Sequence, residues 1–170
     1  MTSSLRSMLA STILLVSAVP GAAQQMSKPD MNMNDTKSAA PYHPGLGELM
    51  TAFVQPRHIK LGLAGAAQNW AYAAYELGEL TETFDAVVEL VPKHGNLAIP
   101  EAIESTVKQP MAALDAAIKA TDAAAFNKAY GDLTASCNAC HQSADHPMIV
   151  IQVPLASAFP DQDFRPPQQK

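Results

Sequence analysis

From Arg57 to Val91 the apolar residues recur with a regularity that few folds accommodate. Ile59, Leu63, Ala66, Trp70, Ala73, Leu77, Leu80, Phe84, Val87 and Val91 are separated by alternating steps of four and three. Such steps return side chains to one face of an α-helix, whereas a half-buried strand needs every second residue. The stripe reads as the seam of a helix packed in a bundle. Gly78 lies inside it and no proline does. A single helix over the whole stretch would be about 52 Å long, much longer than its neighbours. The stretch is therefore one long helix or two with a tight break near 78–81.

The remaining chain supports a helical reading. It is rich in Ala, Leu and Glu, and aromatics make up only 6% of it, a composition that favours helices over strands. Pro92-Lys93-His94-Gly95-Asn96 ends the first helical stretch. Pro100 opens the next, with Glu101 and Glu104 suited to the positive end of its dipole. Ile103, Val107, Met111, Leu114 and Ile118 form its buried face, with a kink expected at Pro110. Thr121 or Asp122 caps a final helix whose stripe is Phe126, Tyr130, Leu133, Cys137, Cys140 and His141.

That last stripe carries the chemistry. Cys137-Asn138-Ala139-Cys140-His141 has the spacing of covalent c-type haem attachment. On a helix, residues three and four apart share a face, so both thiols reach the two vinyl groups of one porphyrin and the imidazole reaches its iron. Asn138 and Ala139 point elsewhere and are expected to be free to vary. Cys137 and Cys140 are the only cysteines in the chain. A dithiol redox centre prefers a helix N-terminus, where the dipole stabilises thiolate; this pair lies near a helix C-terminus. Structural zinc needs four ligands, and two Cys with one His fall short. A disulfide across two residues would constrain little.

The start of the chain bears on the compartment. Arg6 is the only charge before Lys28, Met8 to Val19 is apolar, and Pro20-Gly21-Ala22-Ala23 follows. This is the pattern of a cleaved signal peptide over 1–23, with the stretch too short for the ~20 residues of a membrane span. Residues 24–44 read as a flexible linker. Met26, Met31 and Met33 within it are thioethers of the kind that bind Cu(I), or incidental residues of a polar tail. The expected organisation is then a helical haem-binding bundle over 45–142 and an extended C-terminal tail over 143–170.

An exported helical domain with Cys137, Cys140 and His141 on its last helix resembles the class II c-type cytochromes, the four-helix bundles related to cytochrome c′ and cytochrome c556. The resemblance covers roughly 45–142 and implies an all-α four-helix bundle with one covalently attached haem c. It implies thioethers at Cys137 and Cys140, His141 as the proximal iron ligand, and a periplasmic setting. Class I cytochromes carry the motif near the N-terminus instead. Two departures stand out. The chain runs 29 residues beyond His141, where this family usually ends within a few, and Pro56 interrupts a helix that would start near Gly45.

The sixth coordination position separates the functions. Cytochrome c′ leaves it vacant and binds NO or CO there; c556-like proteins fill it with a methionine from the first helix. The candidates here are His58, Met50, Met148 and His146. His58 shares a face with Gly62, Gly65 and Asn69, and two glycines on one helix face imply that a flat or close neighbour needs the room, either a haem plane or another helix. Arg57 and Lys60 are candidates for haem propionates or for solvent. No phosphate loop, hydrolase triad or zinc-protease motif is present. A net charge of −5 and no basic cluster give nucleic acid no footprint and suit a basic redox partner. The reading is an electron carrier rather than an enzyme, with a periplasmic partner protein and a homodimer through a helix face as candidate associations. Gas binding by a five-coordinate haem is the alternative, and a haem-free dithiol protein the distant one.

Overall fold

The computed structural model describes residues 42–168. The expected signal peptide, most of the expected linker and Met26, Met31 and Met33 lie outside them. The described chain is all-α. It comprises α1 (Leu46–Leu49), a π-helical turn (Met50–Val54), α2 (Gln55–Ala66), α3 (Trp70–Leu90), α4 (Ile99–Thr106), α5 (Lys108–Lys119) and α6 (Ala123–Ser143). A two-residue antiparallel ladder, β1 (Lys93–His94) with β2 (Leu97–Ala98), joins α3 to α4 around Gly95, whose φ of +57° suits glycine.

Pro56 does not interrupt the first rod. Leu49, Met50, Val54 and Gln55 all keep right-handed helical dihedrals, so α1, the π-turn and α2 are continuous. Proline has no N–H to donate, and its ring crowds the carbonyl four residues back. The preceding turn widens to accommodate it, and the Gln55 N–H donates to Met50 O, five residues back.

The long seam divides at 67–69, earlier than the 78–81 expected for a break. Gln68 takes a φ of 55°, and the Asn69 side chain caps α3 by accepting from the Tyr72 N–H at 3.3 Å. The four-residue step from Ala66 to Trp70 happens to preserve the spacing across the turn. In α3 the seam is the buried face, with Ala73, Leu77, Leu80, Phe84 and Val87 all in the core. In α2 it is not. Ile59 and Leu63 are half-buried and Ala66 is exposed, while His58, Leu61, Gly62, Ala64 and Gly65 are buried. The expected kink near Pro110 appears as the break between α4 and α5 at Val107, next to the carbonyl of Thr106 that proline would leave unpaired. Asp122 rather than Thr121 caps α6, accepting from the Ala124 and Ala125 N–H groups.

Short connections make successive rods antiparallel, and they close a ring in which α2 packs on α3, α3 on α5, α5 on α6 and α6 on α2. Leu61, Leu80, Leu114 and Leu133 lie at its centre, 0–1% exposed, each contributing about 2 kcal/mol by removal from water. Among the described residues no helix is long and apolar enough to cross a membrane.

Candidate functional site

Cys137, Cys140 and His141 occupy the last two turns of α6, all half-buried. Both cysteines are free thiols. Burial, together with the neighbouring Cys140, pushes the Cys137 thiol up to about 11, and burial raises Cys140 as well. Thiolate is therefore disfavoured at both, the opposite of an activated redox dithiol. The His141 Nδ1 lies 2.9 Å from the carbonyl oxygen of Ile149. A carbonyl can only accept, so Nδ1 carries the hydrogen and the lone pair sits on Nε2, the arrangement in which imidazole binds a metal.

Asn138 does not behave as a spacer. Its side-chain Nδ2 donates to Ile151 O at 2.9 Å, and its Oδ1 accepts from the Ile151 N–H at 2.7 Å. The chain leaving α6 is thereby turned back against the helix. The expected extended tail also keeps packing contacts past Pro160. The Phe159 ring lies 4.8 Å from the Lys60 ammonium, and Phe164 is buried against Tyr72. Asn69, while capping α3, donates through Nδ2 to the carbonyls of Phe164 and Arg165 at 3.2 Å. The segment after α6 is thus a strap fastened by Asn138 at one end and Asn69 at the other.

His58 is buried between α2 and α6, 3% exposed and stacked on Tyr130 at 4.7 Å. Its Nε2 meets Thr134 Oγ1 and its Nδ1 meets Tyr130 Oη, both at 3.0 Å. Those hydroxyls also reach backbone carbonyls, Tyr130 Oη donating to His58 O at 2.7 Å and Thr134 Oγ1 to Tyr130 O at 2.8 Å. Each hydroxyl has one hydrogen to place, so a neutral His58 is satisfied when one of the two redirects it to the ring. Both ring nitrogens are engaged within the helix interface, and burial lowers the imidazole to about 4.

The two glycines beside His58 make room for helix packing. A Cβ on Gly65 would lie 2.0 Å from the Phe126 ring, and one on Gly62 would lie 2.5 Å from the Tyr130 ring. The flat neighbours are these aromatic rings of α6. Their contacts, with His58–Thr134, set a register in which each turn back along α2 matches a turn forward along α6. Met50 is half-buried against the core.

The other candidates lie elsewhere. Met148 is 74% exposed, and both it and His146 belong to the stretch of strap that passes on the Nδ1 side of His141. Arg57 is paired with Glu76 at 3.2 Å and Glu79 at 2.6 Å. Glu76 is 1% exposed, and its Oε1 makes no hydrogen bond with the protein. An open groove of about 510 Å³ lies between α3 and α4–α5, lined by Leu77, Phe84, Ile103, Val107 and Met111 among others, and none of the motif residues reaches it. Among the described residues no three His, Cys, Asp or Glu side chains converge as a metal cluster.

Comparison with protein-family models, curated proteins and solved structures finds no match to this chain. Sequence reasoning missed Thr134, Asn138 and the carbonyl of Ile149. A signal for the first two exists: Tyr130, Thr134 and Asn138 place hydrogen-bonding groups four apart on an alanine-rich helix. No sequence feature announces a backbone carbonyl.

Proposed function

We propose that this protein is an exported c-type cytochrome, a helical bundle of the cytochrome c′ and c556 kind, holding one covalent haem and exchanging single electrons with a periplasmic partner protein. The observation that carries this reading is the donor set at the end of α6: two protonated thiols one turn apart, and beside them an imidazole whose Nε2 lone pair is left free by the Ile149 carbonyl. Cys137 and Cys140 would hold the porphyrin through thioethers, and His141 Nε2 would bind the iron. The group supplies a one-electron Fe(II)/Fe(III) couple, whose potential the protein tunes through the axial ligands and burial.

For the opposite face of the iron we favour Met50 over His58. Met50, half-buried in the π-turn of the first rod, has no hydrogen bond to give up, whereas His58 would forfeit its Thr134 contact. The expectation is haem that stays with the polypeptide under denaturing conditions, and a low-spin spectrum in both oxidation states. Colourless protein with two free thiols would refute the proposal. Met50→Ala should convert the ferrous form to a high-spin, CO-binding one, while His58→Phe should leave it low-spin. A wild-type ferrous protein that is already high-spin and shifts with CO would reject electron transfer through a fixed sixth ligand and favour NO or CO binding.

A further inference from the structure

We propose that Asn138, between the two cysteines, is a positioning residue that sets the imidazole of His141 through the strap. The amide of Asn138 meets both backbone groups of Ile151, one as donor at 2.9 Å and one as acceptor at 2.7 Å. Two-point pairing fixes the register of an extended segment as a sheet ladder does, since sliding by one residue would break both bonds. That register puts the Ile149 carbonyl, two residues earlier, 2.9 Å from His141 Nδ1. Asn138 stands one helical turn before His141, so the clamp and the imidazole sit on adjoining parts of the same helix surface.

The rest of the strap is built to keep this register. At the α6 end the chain reverses through Asp145, with a φ of 60°, and the His146 N–H donates to His141 O at 2.8 Å. At the far end Phe164 is buried and Asn69 donates to two successive carbonyls. Anchored at both ends, the intervening chain has little freedom to withdraw the Ile149 carbonyl. A solvated imidazole prefers its hydrogen on Nε2, the nitrogen that must be bare to bind a metal. The strap inverts that preference. In the haem-bound protein, which rests on the function proposed above, the same hydrogen bond makes the ligand more basic and favours Fe(III).

Nitrogen-15 NMR of His141 in the haem-free polypeptide reads the device without haem. Wild type should show the Nδ1–H tautomer, and Asn138→Ala should move the tautomer ratio toward Nε2–H by about tenfold, the equilibrium worth of one hydrogen bond. Ile151→Pro, which deletes the N–H partner of Asn138, should act in the same direction, and the double variant should move no further than either single one. In the haem-loaded protein Asn138→Ala should raise the reduction potential with both thioethers retained. A wild-type Nε2–H tautomer, a ratio unmoved by Asn138→Ala, or additive single variants would each overturn the proposal. Colourless protein in which the tautomer still shifts would refute the haem reading and leave the positioning role standing.

Discussion

Burial drives the His58 imidazole from the ordinary 6.5 down to about 4, so between those pH values the unfolded chain binds a proton that the native one refuses. The stability this histidine contributes is complete above pH 6.5 and is lost as pH falls toward 4, by on the order of 3 kcal/mol. The expected result is a urea midpoint for haem-free wild type that falls more steeply between about pH 7 and about pH 4.5 than that of His58→Gln. Parallel slopes would remove His58 from the account. The sequence placed this histidine on a face with two glycines. It could not say whether the face met porphyrin or protein, because the Phe126 and Tyr130 rings that fill the space come from a helix more than sixty residues away.

At the level of elements, the contact between α2 and α6 depends on side chains that are missing. Gly65→Ala would drive a methyl into the Phe126 ring, which is 1% exposed and has nowhere to move. The expected loss is about 1–3 kcal/mol, outweighing the gain in helix propensity. Gly78 sits in α3 with nothing within 4 Å of the added Cβ, so Gly78→Ala should instead stabilise by about 0.5–1 kcal/mol. Urea denaturation of the two variants should give opposite signs; a stable Gly65→Ala would mean that the helices are not locked at this crossing. The same contact explains the misread seam in α2. Hydrophobicity pointed to Ile59, Leu63 and Ala66, but close approach of α6 selects the face with the least side-chain bulk.

For the whole molecule, the strap joins the end of α6 that bears the motif to the turn between α2 and α3, and ties both to one backbone segment. On the proposed ligation by Met50 and His141, His58 would stay in the core of the haem-loaded protein. The low-spin spectrum should then persist as pH is lowered from about 7 to about 5, since a thioether ligand has no proton to gain. A change to high spin over that interval that His58→Gln abolishes would restore His58 as the ligand. The Arg57–Glu76 pair extends the argument to the α2–α3 contact, where a buried carboxylate depends on one guanidinium and breaking the pair would leave an uncompensated charge.

The chain by itself determined what depends on local spacing: helices from the four-three rhythm, the stops at Pro92 and Gly95, a cap at Thr121 or Asp122, a disturbance of the helix near Pro110, and two thiols and an imidazole gathered on one helix. These follow from the period of the helix and from steric rules that act within a turn. Only the tertiary structure decided which face of α2 is buried, what the glycines accommodate, that Pro56 widens a helix without ending it, and that the residues after α6 form a strap. Each of these depends on a partner distant in sequence, and most of those partners are backbone groups or aromatic faces that leave no pattern of their own. The tautomer of His141 belongs to this second set: its deciding atom is the carbonyl oxygen of Ile149, whose position is fixed by Asn138.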